Sequence, residues 1–257
     1  MTGVPISSHE SAFGKALAVV WPEFVNGEKR RATMLPFLTA NVPTGAARAL
    51  DLGCGTGCEV IELARNSQLD VTANEVDDDL AYLARCRAGV LSDRIAWTGV
   101  DWRDLRKAFG PERFDLVFLV GNSFSLLLSE DDRRDAASQI YDICRSNGRF
   151  VVDIRNFEYI LDQRESILRG WFRYSGRVIY CGTEIKGIPI AIADERVTFG
   201  YFTGTGERMG TLDMVPLTIV RLIECFTSAG FRVHEILSDL VSGLNLDADF
   251  FSVVFTK

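Results

Sequence analysis

The sequence predicts an α/β fold with a doubly wound, mostly parallel seven-stranded sheet, an N-terminal helical lid and an antiparallel β-ribbon inserted after the fifth strand. Three observations lead to this prediction. Apolar strands and helices alternate from Arg48 to Ile154, which is typical of a parallel sheet with helices on both faces. Residues 172–213 then show alternating residues broken by glycines, which indicates antiparallel strands. A last helix and two further apolar segments add a closing antiparallel pair.

The composition is that of one globular domain, which we assign to residues 1–257. Of the 257 residues 47% are hydrophobic, and the net charge of −7 argues against a nucleic-acid groove. No segment is long and apolar enough to cross a membrane, and the first residues lack the basic and apolar regions of a secretory signal. We therefore expect a cytoplasmic protein without nucleic-acid or membrane partners, either a monomer or a homo-oligomer.

The N-terminal arm, residues 1–44, is predicted to contain two helices. Apolar residues recur at helical spacing up to Trp21, and Pro22 is expected to end the first helix. The second helix is predicted at 27–39, and the charged run 28–31 is interpreted as its solvated face. The arm either folds over the sheet as a lid or packs against a sheet edge.

Residues 45–160 form the predicted core. Asp77 and Gly89 have the N-cap and C-cap chemistry of one of its helices. Because ligands of such sheets bind beyond the carboxyl ends of the strands, we expect the functional site at that edge. The core strands are predicted at 48–51, 69–75, 94–97, 114–120 and 149–154, and its helices at 57–66, 77–89 and 131–145.

The remaining chain divides into two parts. Residues 161–215 are the inserted ribbon, and residues 216–257 hold the last helix and the closing strands. The ribbon strands are predicted at 177–180, 188–192 and 196–199, the helix at 217–229, and the closing strands at 231–240 and 249–256.

Cysteine and histidine usage argues against a metal site. The chain has only two histidines, His9 and His234, and no cluster of metal-ligand type accompanies the spacing of Cys54 and Cys58. We predict no bound metal and a reducing compartment, in which the cysteines are small core residues. The six cysteines are Cys54, Cys58, Cys86, Cys144, Cys181 and Cys225.

A glycine-rich turn follows the first core strand. Glycines let backbone amides approach a ligand closely, and the helix that follows adds its positive dipole end. A dinucleotide-binding site has the motif G-x-G-x-x-G/A and would need a small residue where Cys58 stands. A nicotinamide oxidoreductase is therefore only a remote alternative. The run Asp51-Leu52-Gly53-Cys54-Gly55-Thr56-Gly57 instead resembles the first motif of class I S-adenosylmethionine-dependent methyltransferases.

This resemblance implies a Rossmann-like cofactor-binding core and assigns its contacts. Gly53, Cys54, Gly55 and Gly57 would pack against the methionyl part of the cofactor, and Asp51 would help to orient its ammonium group. It makes residues 161–215 a substrate cap.

Three later positions extend the cofactor site. Glu75, followed by Val76, ends the second strand, where an acid can accept hydrogen bonds from two ribose hydroxyls; the alternative is a solvated loop acid. Asp101-Trp102 follows the third strand, where this family holds adenine, although Trp102 alone would fit a core residue equally well. Val120 and Gly121 end the fourth strand facing the site.

Two motifs narrow the resemblance to the glycine N-methyltransferase family and its sarcosine-methylating relatives. They are Gly121-Asn122-Ser123-Phe124 and the stretch 152–161, which reads D-x-R-N-aromatic-x-x-I-L from Asp153. The resemblance implies that Arg155 binds the substrate carboxylate and that Asn122 faces the cofactor and the substrate amine. The alternatives are a salt bridge of Arg155 with Asp153 or Glu158, and a turn-capping role for Asn122.

The chain departs from that family where the family lines its substrate site. Ser125-Leu126 stand where the family often has Ala-His, and Phe24 and the stretch 214–216 stand in place of family tyrosines. These changes argue against glycine itself as the substrate and favour a larger or less polar acceptor.

We therefore predict an S-adenosylmethionine-dependent methyltransferase that acts by in-line displacement and yields S-adenosylhomocysteine. The acceptor is the amine of a small carboxylate-bearing molecule, either glycine- or sarcosine-like or a larger amino-acid derivative. The scarcity of histidine favours an amine over a hydroxyl, since an unprotonated amine needs little acid–base help. Alternatives are a hydroxyl or amino-sugar acceptor in a secondary pathway, and a non-catalytic cofactor-binding protein.

Overall fold

A computed structural model describes residues 15–25, 27–172 and 184–257, with only the backbone described for residues 15–17. The described strands are β1 (Arg48–Asp51), β2 (Asp70–Asn74), β3 (Ile95–Thr98), β4 (Phe114–Leu119), β5 (Cys144–Arg155), β6 (Ile185–Ile192), β7 (Val197–Thr203), β8 (Arg208–Met214), β9 (Arg232–Ser238), β10 (Val241–Ser242) and β11 (Phe250–Thr256). The described α-helices are α1 (Lys15–Phe24), α2 (Gly27–Ala40), α3 (Cys58–Asn66), α4 (Asp78–Ala88), α5 (Leu105–Phe109), α6 (Glu130–Ile143), α7 (Phe157–Asp162), α8 (Arg164–Ser166) and α9 (Ile219–Ser228). None of these helices has the length and apolar character needed to cross a membrane.

The main sheet confirms the mostly parallel α/β architecture and has the order β10-β9-β11-β5-β4-β1-β2-β3. Strands β1 to β5 are parallel, and β11 lies antiparallel between β5 and β9. The predicted count of seven strands was wrong, because the sheet has eight. The additional strand is β10, whose two residues are too few to show an alternation in sequence. The strand order reverses at β1 and β4, which is where ligands of such sheets bind.

Successive side chains of the strands point to opposite faces of this sheet and pack into two hydrophobic cores. Leu50 and Phe150 belong to the core on one face, whereas Ala49 and Val151 belong to the core on the other. This is the period of two expected for strands buried on both sides. Strand β5 begins at Cys144, five residues before its predicted start, because the turn at Asn147 (φ 65°) lies within the strand and does not precede it.

The inserted segment between β5 and α9 forms a separate antiparallel sheet of order β6-β7-β8 among the described residues. The predicted strands at 188–192 and 196–199 are confirmed within β6 and β7. The predicted strand at 177–180 lies outside the described residues. Strand β8 was not predicted individually, and it pairs with β7 along its length.

The N-terminal arm places α1 against β6 and β8 of this second sheet and against α4 of the core, while α2 packs on α3. The prediction that Pro22 ends the first helix was wrong, since α1 continues to Phe24. The backbone N–H of Val25 still donates to the carbonyl of Trp21 at 2.9 Å, so the last turn closes around the proline.

Replacing Gly57 by alanine is expected to lower the free energy of unfolding by about 2–3 kcal/mol. Gly57 has φ 81°, and a Cβ there would lie 3.1 Å from Ile61 Cδ1 and 3.2 Å from Ala84 Cβ. Gly45 is a matched control, because its φ is 77° and no described atom would lie within 4 Å of its Cβ. Gly45→Ala should cost about 1 kcal/mol in urea denaturation. Equal losses would contradict crowding at Gly57.

Candidate active site

One large cavity of about 1510 Å³ lies at the carboxyl ends of β1, β2 and β4, beneath α1 and the second sheet. Its polar part includes the glycine-rich turn, Glu75 and Asp101. Its other part is apolar, with residues from α1, β7 and β8 and with Arg155 from β5. The volume exceeds that of most single-ligand pockets, so the cavity has room for two small molecules side by side.

The glycine-rich turn leaves β1 and enters α3. Gly55 and Gly57 have φ values of 52° and 81°, which favour glycine. A Cβ at Gly53 would lie 3.3 Å from Leu119 Cδ1 and 3.6 Å from Trp102 Cζ2. The turn is thus a backbone cradle that side chains at these positions would distort or fill.

Two acids brace this turn from different sides. Asp51 lies beneath it, 1% exposed, and accepts a hydrogen bond from the Gly53 N–H at 3.1 Å. Burial, together with the nearby Glu59 carboxylate, raises the pKa of Asp51 well above its usual range. Glu75 accepts from the N–H groups of Gly55 at 2.8 Å and Asp77 at 3.0 Å, and burial raises its pKa as well. Glu75 therefore both lines the cavity and holds the cradle in shape.

Asp101 and Trp102 lie at the cavity edge beyond β3. Both carboxylate oxygens of Asp101 accept from Arg103, Oδ1 from Nε at 2.8 Å and Oδ2 from Nη2 at 2.7 Å, and Arg103 also pairs with Asp132 at 2.9 Å. The indole N–H of Trp102 donates to the Leu52 carbonyl at 2.6 Å. Trp102 is thus fixed under the glycine-rich turn while still lining the cavity.

The turn after β4 brings Gly121 and Asn122 to the cavity wall. Both have left-handed backbone conformations, with φ values of 97° and 66°. Asn122 is 2% exposed, and its Oδ1 accepts from Ser125 Oγ at 2.9 Å and from the Arg155 N–H at 3.0 Å. Its Nδ2 lies 3.1 Å from Met214 Sδ. Asn122 therefore organises the strand end as well as lining the cavity.

Arg155 lies at the end of β5 between two aromatic rings. The residue is 5% exposed, and its Cζ is 4.7 Å from the ring centre of Phe199 and 5.1 Å from that of Phe250. Such rings stabilise a cation partly removed from water. The two acids considered as salt-bridge partners serve other groups: Asp153 accepts from the turn at residues 121–122, and Glu158 accepts from the Ile219 N–H at 2.7 Å.

The residue after Arg155 supports the same site. Asn156 Oδ1 accepts from the Tyr159 N–H and caps α7, and its Nδ2 donates to the carbonyls of Leu246 at 2.7 Å and Ala248 at 2.8 Å. These bonds fix the chain just before Phe250, one of the two rings beside Arg155. The stretch 153–158 is thus a structural unit that presents one guanidinium to the cavity.

Arg30 is a further cavity residue, which was not predicted from the sequence. The interpretation of 28–31 as a solvated face was wrong for Arg30, which is 8% exposed, lines the cavity and pairs with the buried Glu59, Nε to Oε1 at 2.5 Å. Arg30, Met34 and Leu38 are spaced by four residues and form the buried face of α2. That spacing was the available signal.

An aromatic cluster that the sequence did not predict closes the apolar part of the cavity. Trp21 and Phe24 of α1 meet Tyr201 of β7, with ring centres 4.9 Å apart for Trp21–Phe24 and 5.1 Å for Phe24–Tyr201. All three line the cavity. The arm and the inserted sheet therefore build the apolar wall together.

Comparisons with known proteins agree with this geometry. A methyltransferase domain family matches residues 49–148. Glycine/sarcosine N-methyltransferase of Aphanothece halophytica is 32% identical over 241 residues, which cover 92% of this chain and 86% of that protein. The enzyme of the same name from Halorhodospira halochloris is 25% identical over 239 residues, 92% of this chain and 85% of that protein. An S-adenosylmethionine-dependent methyltransferase from Clostridium acetobutylicum shares the fold, with a TM-score of 0.70 at 14% identity, over 93% of this chain and 96% of the other.

Proposed function

The chain belongs to the glycine/sarcosine N-methyltransferase family of S-adenosylmethionine-dependent methyltransferases, and we propose that it methylates the amine of a small molecule whose carboxylate is held by Arg155. The observation that carries this proposal is the position of Arg155. Its guanidinium lies in the apolar part of the cavity whose polar part is the glycine cradle. A guanidinium fork matches a carboxylate in two parallel hydrogen bonds and fixes its orientation.

The polar part of the cavity fits S-adenosylmethionine, the methyl donor of this family. At Gly55 the nearest described atom to an added Cβ would be Trp21 Nε1 at 3.9 Å, so the backbone there is open to the close approach of a ligand, whereas Gly53 and Gly57 are required because a Cβ would crowd protein side chains. When bound, S-adenosylmethionine supplies a methyl group activated by a sulfonium, with S-adenosylhomocysteine as the product. We assign the ribose hydroxyls to Glu75, whose carboxylate already faces the cradle.

The other cofactor contacts follow from where their residues lie. The cradle, including Cys54, is assigned to the methionyl part. Asp51, predicted to help orient the donor ammonium group, lies beneath the cradle and is not among the described residues that line the cavity, so we assign it to holding the Gly53 amide. Asp101 and Trp102 are assigned to the adenine. Arg30 is added to the predicted set, because it is a buried cation at the cavity wall beside the cradle and fits the donor carboxylate. The remaining wall residues assigned to the cofactor are Val76, Val120 and Gly121.

The residues around the acceptor favour catalysis by positioning. His234 lies exposed on β9, away from the cavity, and His9 lies outside the described residues. Holding an unprotonated amine in line with the donor methyl group can supply effective molarities of about 10⁵ M or more without a general base. Asn122 and Arg155 are the residues that we assign to this positioning.

The apolar wall bears on which amine is used. The family tyrosines of the N-terminal arm and of the segment after the ribbon have no clear match in this chain, which has Phe24 and the stretch 214–216 in those regions; Phe24 and Met214 line the cavity. They offer a ring and a thioether in place of hydroxyl groups, which favours an acceptor with an apolar substituent over glycine.

A release assay for S-adenosylhomocysteine over a panel of acceptors tests the proposal. The panel pairs glycine, sarcosine and larger amino acids with the same amines lacking the carboxylate, and adds an amino sugar and a hydroxyl compound. We expect kcat/KM for the best carboxylate-bearing amine to exceed that of its decarboxylated partner by at least about 100-fold, since a lost charged hydrogen-bond partner costs roughly 3 kcal/mol. Mass spectrometry then identifies the methylated atom. Preferred turnover of the sugar or the hydroxyl compound would contradict the proposal.

A further inference from the structure

Asp153 is a buried acid in β5 that the cofactor and acceptor assignments leave without a role. It is 0% exposed and does not appear among the described residues that line the cavity, whereas Gly121, Asn122 and Arg155 do. Asp153 and Arg155 are two residues apart on one strand, so their side chains leave the same face of the sheet. Asp153 therefore lies behind the cavity wall, close to the proposed carboxylate site.

One oxygen of Asp153 holds the turn after β4. Its Oδ1 accepts from the N–H groups of Gly121 at 2.7 Å and Asn122 at 2.8 Å. Both residues have positive φ, a conformation that a non-glycine residue such as Asn122 adopts only at a cost. The two hydrogen bonds offset that cost, because a charged acceptor makes shorter and stronger bonds than a neutral one.

The turn after β4 also holds Arg155. Asn122 Oδ1 accepts from the Arg155 backbone N–H at 3.0 Å, which completes a ring of contacts from Asp153 through Asn122 to Arg155 and back along β5. Ser125 Oγ donates to the same Oδ1 at 2.9 Å and fixes the amide orientation. Any loosening of the turn is therefore passed to the backbone that carries the guanidinium.

We propose that Asp153 is a positioning residue that sets the place of Arg155 through the turn at Gly121 and Asn122, and that this positioning depends on the negative charge of Asp153. Its consequence for acceptor binding rests on the proposed role of Arg155. The contact between Asp153 and the turn is independent of any acceptor.

The surroundings of Asp153 make its charge sensitive to pH near neutrality. Burial raises the pKa of Asp153 to about 7, and the carboxylate of Glu59 on α3 acts in the same direction. The two backbone amides of the turn and Arg30 of α2 lower this pKa and partly offset the effect of burial. The strand on its other side, β11, presents the uncharged Ser252. Its Oδ2 is buried and has no hydrogen-bond partner in the described part of the chain. The turn is thus held by a carboxylate above about pH 7 and by a neutral acid below it.

Amide NMR of the wild-type protein from pH 6 to pH 8 tests the ring directly. We expect the resonances of Gly121, Asn122 and Arg155 to shift together with one midpoint near 7. The same titration of Asp153→Asn, which keeps an acceptor oxygen without the charge, should show no such midpoint. Titration of Gly121 and Asn122 without Arg155, or of none of the three, would overturn the proposal.

A carboxylate without an amine then tests the functional consequence. Propionate stays ionised from pH 6 to pH 8. Any change with pH in its affinity for the protein saturated with S-adenosylhomocysteine therefore reports on the protein alone. We expect the dissociation constant in wild type to rise about ten-fold from pH 8 to pH 6, and in Asp153→Asn to be high and independent of pH. Tighter binding at pH 6 would mean that repulsion between the two carboxylates dominates, and would overturn the positioning role.

The outcomes separate this proposal from the proposed function. Failure of propionate to bind at any pH, with the three amides still titrating, would contradict the carboxylate-bearing acceptor and leave the ring in place. Asp115→Asn is the matched control, because Asp115 also accepts from two backbone amides, those of Ala47 and Arg48, at 2.9 Å each. It lies at the opposite end of the sheet, so this variant should lose stability but keep the wild-type midpoint and propionate affinity. If Asp153→Asn does not fold, the two wild-type titrations still decide.

Discussion

Replacing Arg155 by alanine is expected to lower kcat/KM for a carboxylate-bearing amine by about 10²–10³-fold, while the dissociation constant of S-adenosylhomocysteine changes by less than about three-fold. Arg155 is 5% exposed, so a carboxylate beside it would be largely removed from water. Removing one partner of a buried, hydrogen-bonded charge pair costs about 2–5 kcal/mol, which corresponds to this loss. The cofactor is assigned to the other part of the cavity, and its affinity should therefore be preserved.

Two further variants distinguish a carboxylate clamp from a general loss of structure. Arg155→Lys keeps the charge but not the planar fork, and should recover part of the activity. Arg164→Ala removes a partly exposed arginine that pairs with Asp194 outside the cavity, and should behave as wild type. Steady-state kinetics with the best acceptor of the panel and calorimetry with S-adenosylhomocysteine provide both readouts. A parallel loss of cofactor affinity in Arg155→Ala would show that Arg155 does not act on the acceptor alone.

The fold was predictable from sequence because its signals are local and repeated. The nearly continuous apolar run predicted as a strand at 114–120 is typical of a central strand of a parallel sheet, and β4 is observed at Phe114–Leu119. Helix α4, predicted at 77–89, is observed at Asp78–Ala88 because Asp77 and Gly89 supply the capping chemistry at its ends. Strand β10 was not predicted, because it has only two residues and forms only when the tight turn after β9 pairs them with that strand. Elements too short to show a sequence pattern could therefore not be predicted.

The residues of the candidate site likewise divide into those that the sequence predicted and those that it did not. That Glu75 lies beside the cradle could be predicted, because the glycine-rich turn follows β1 and Glu75 follows the neighbouring parallel strand β2. Their contacts with a cofactor stay predictions. Tyr201 could not be assigned, since its burial depends on how the second sheet meets α1. For Arg30 the spacing with Met34 and Leu38 indicates a buried face of α2, but its place at the cavity depends on how α2 packs on α3. Asp153 was considered only as an ion-pair partner of Arg155, and its hydrogen bonds to the turn after β4 require the pairing of β4 with β5.

Replacing Glu75 by alanine is expected to raise the dissociation constant of S-adenosylhomocysteine by about 100-fold. The substitution removes the proposed acceptor for two ribose hydroxyls and also leaves the N–H groups of Gly55 and Asp77 without their carboxylate. Hydrogen bonds to a charged group contribute about 1.5–3 kcal/mol each, so the loss of ribose contacts alone accounts for this change. Glu75→Gln keeps one acceptor oxygen and the side-chain volume, and should weaken binding by only about ten-fold.

The ribose role and the cradle-bracing role of Glu75 predict different responses to the ligand. Wild type should bind the 2′-deoxy analogue of S-adenosylhomocysteine at least about ten-fold more weakly than the parent compound, whereas Glu75→Ala should bind the two alike, because the carboxylate that reads the hydroxyl is gone. Discrimination that persists unchanged in Glu75→Ala would assign Glu75 to bracing the cradle only. Asp70→Ala removes an exposed carboxylate at the other end of the same strand and should leave both affinities at wild-type values. Because the double comparison cancels any loss common to both ligands, distortion of the cradle cannot imitate a direct contact with the ribose.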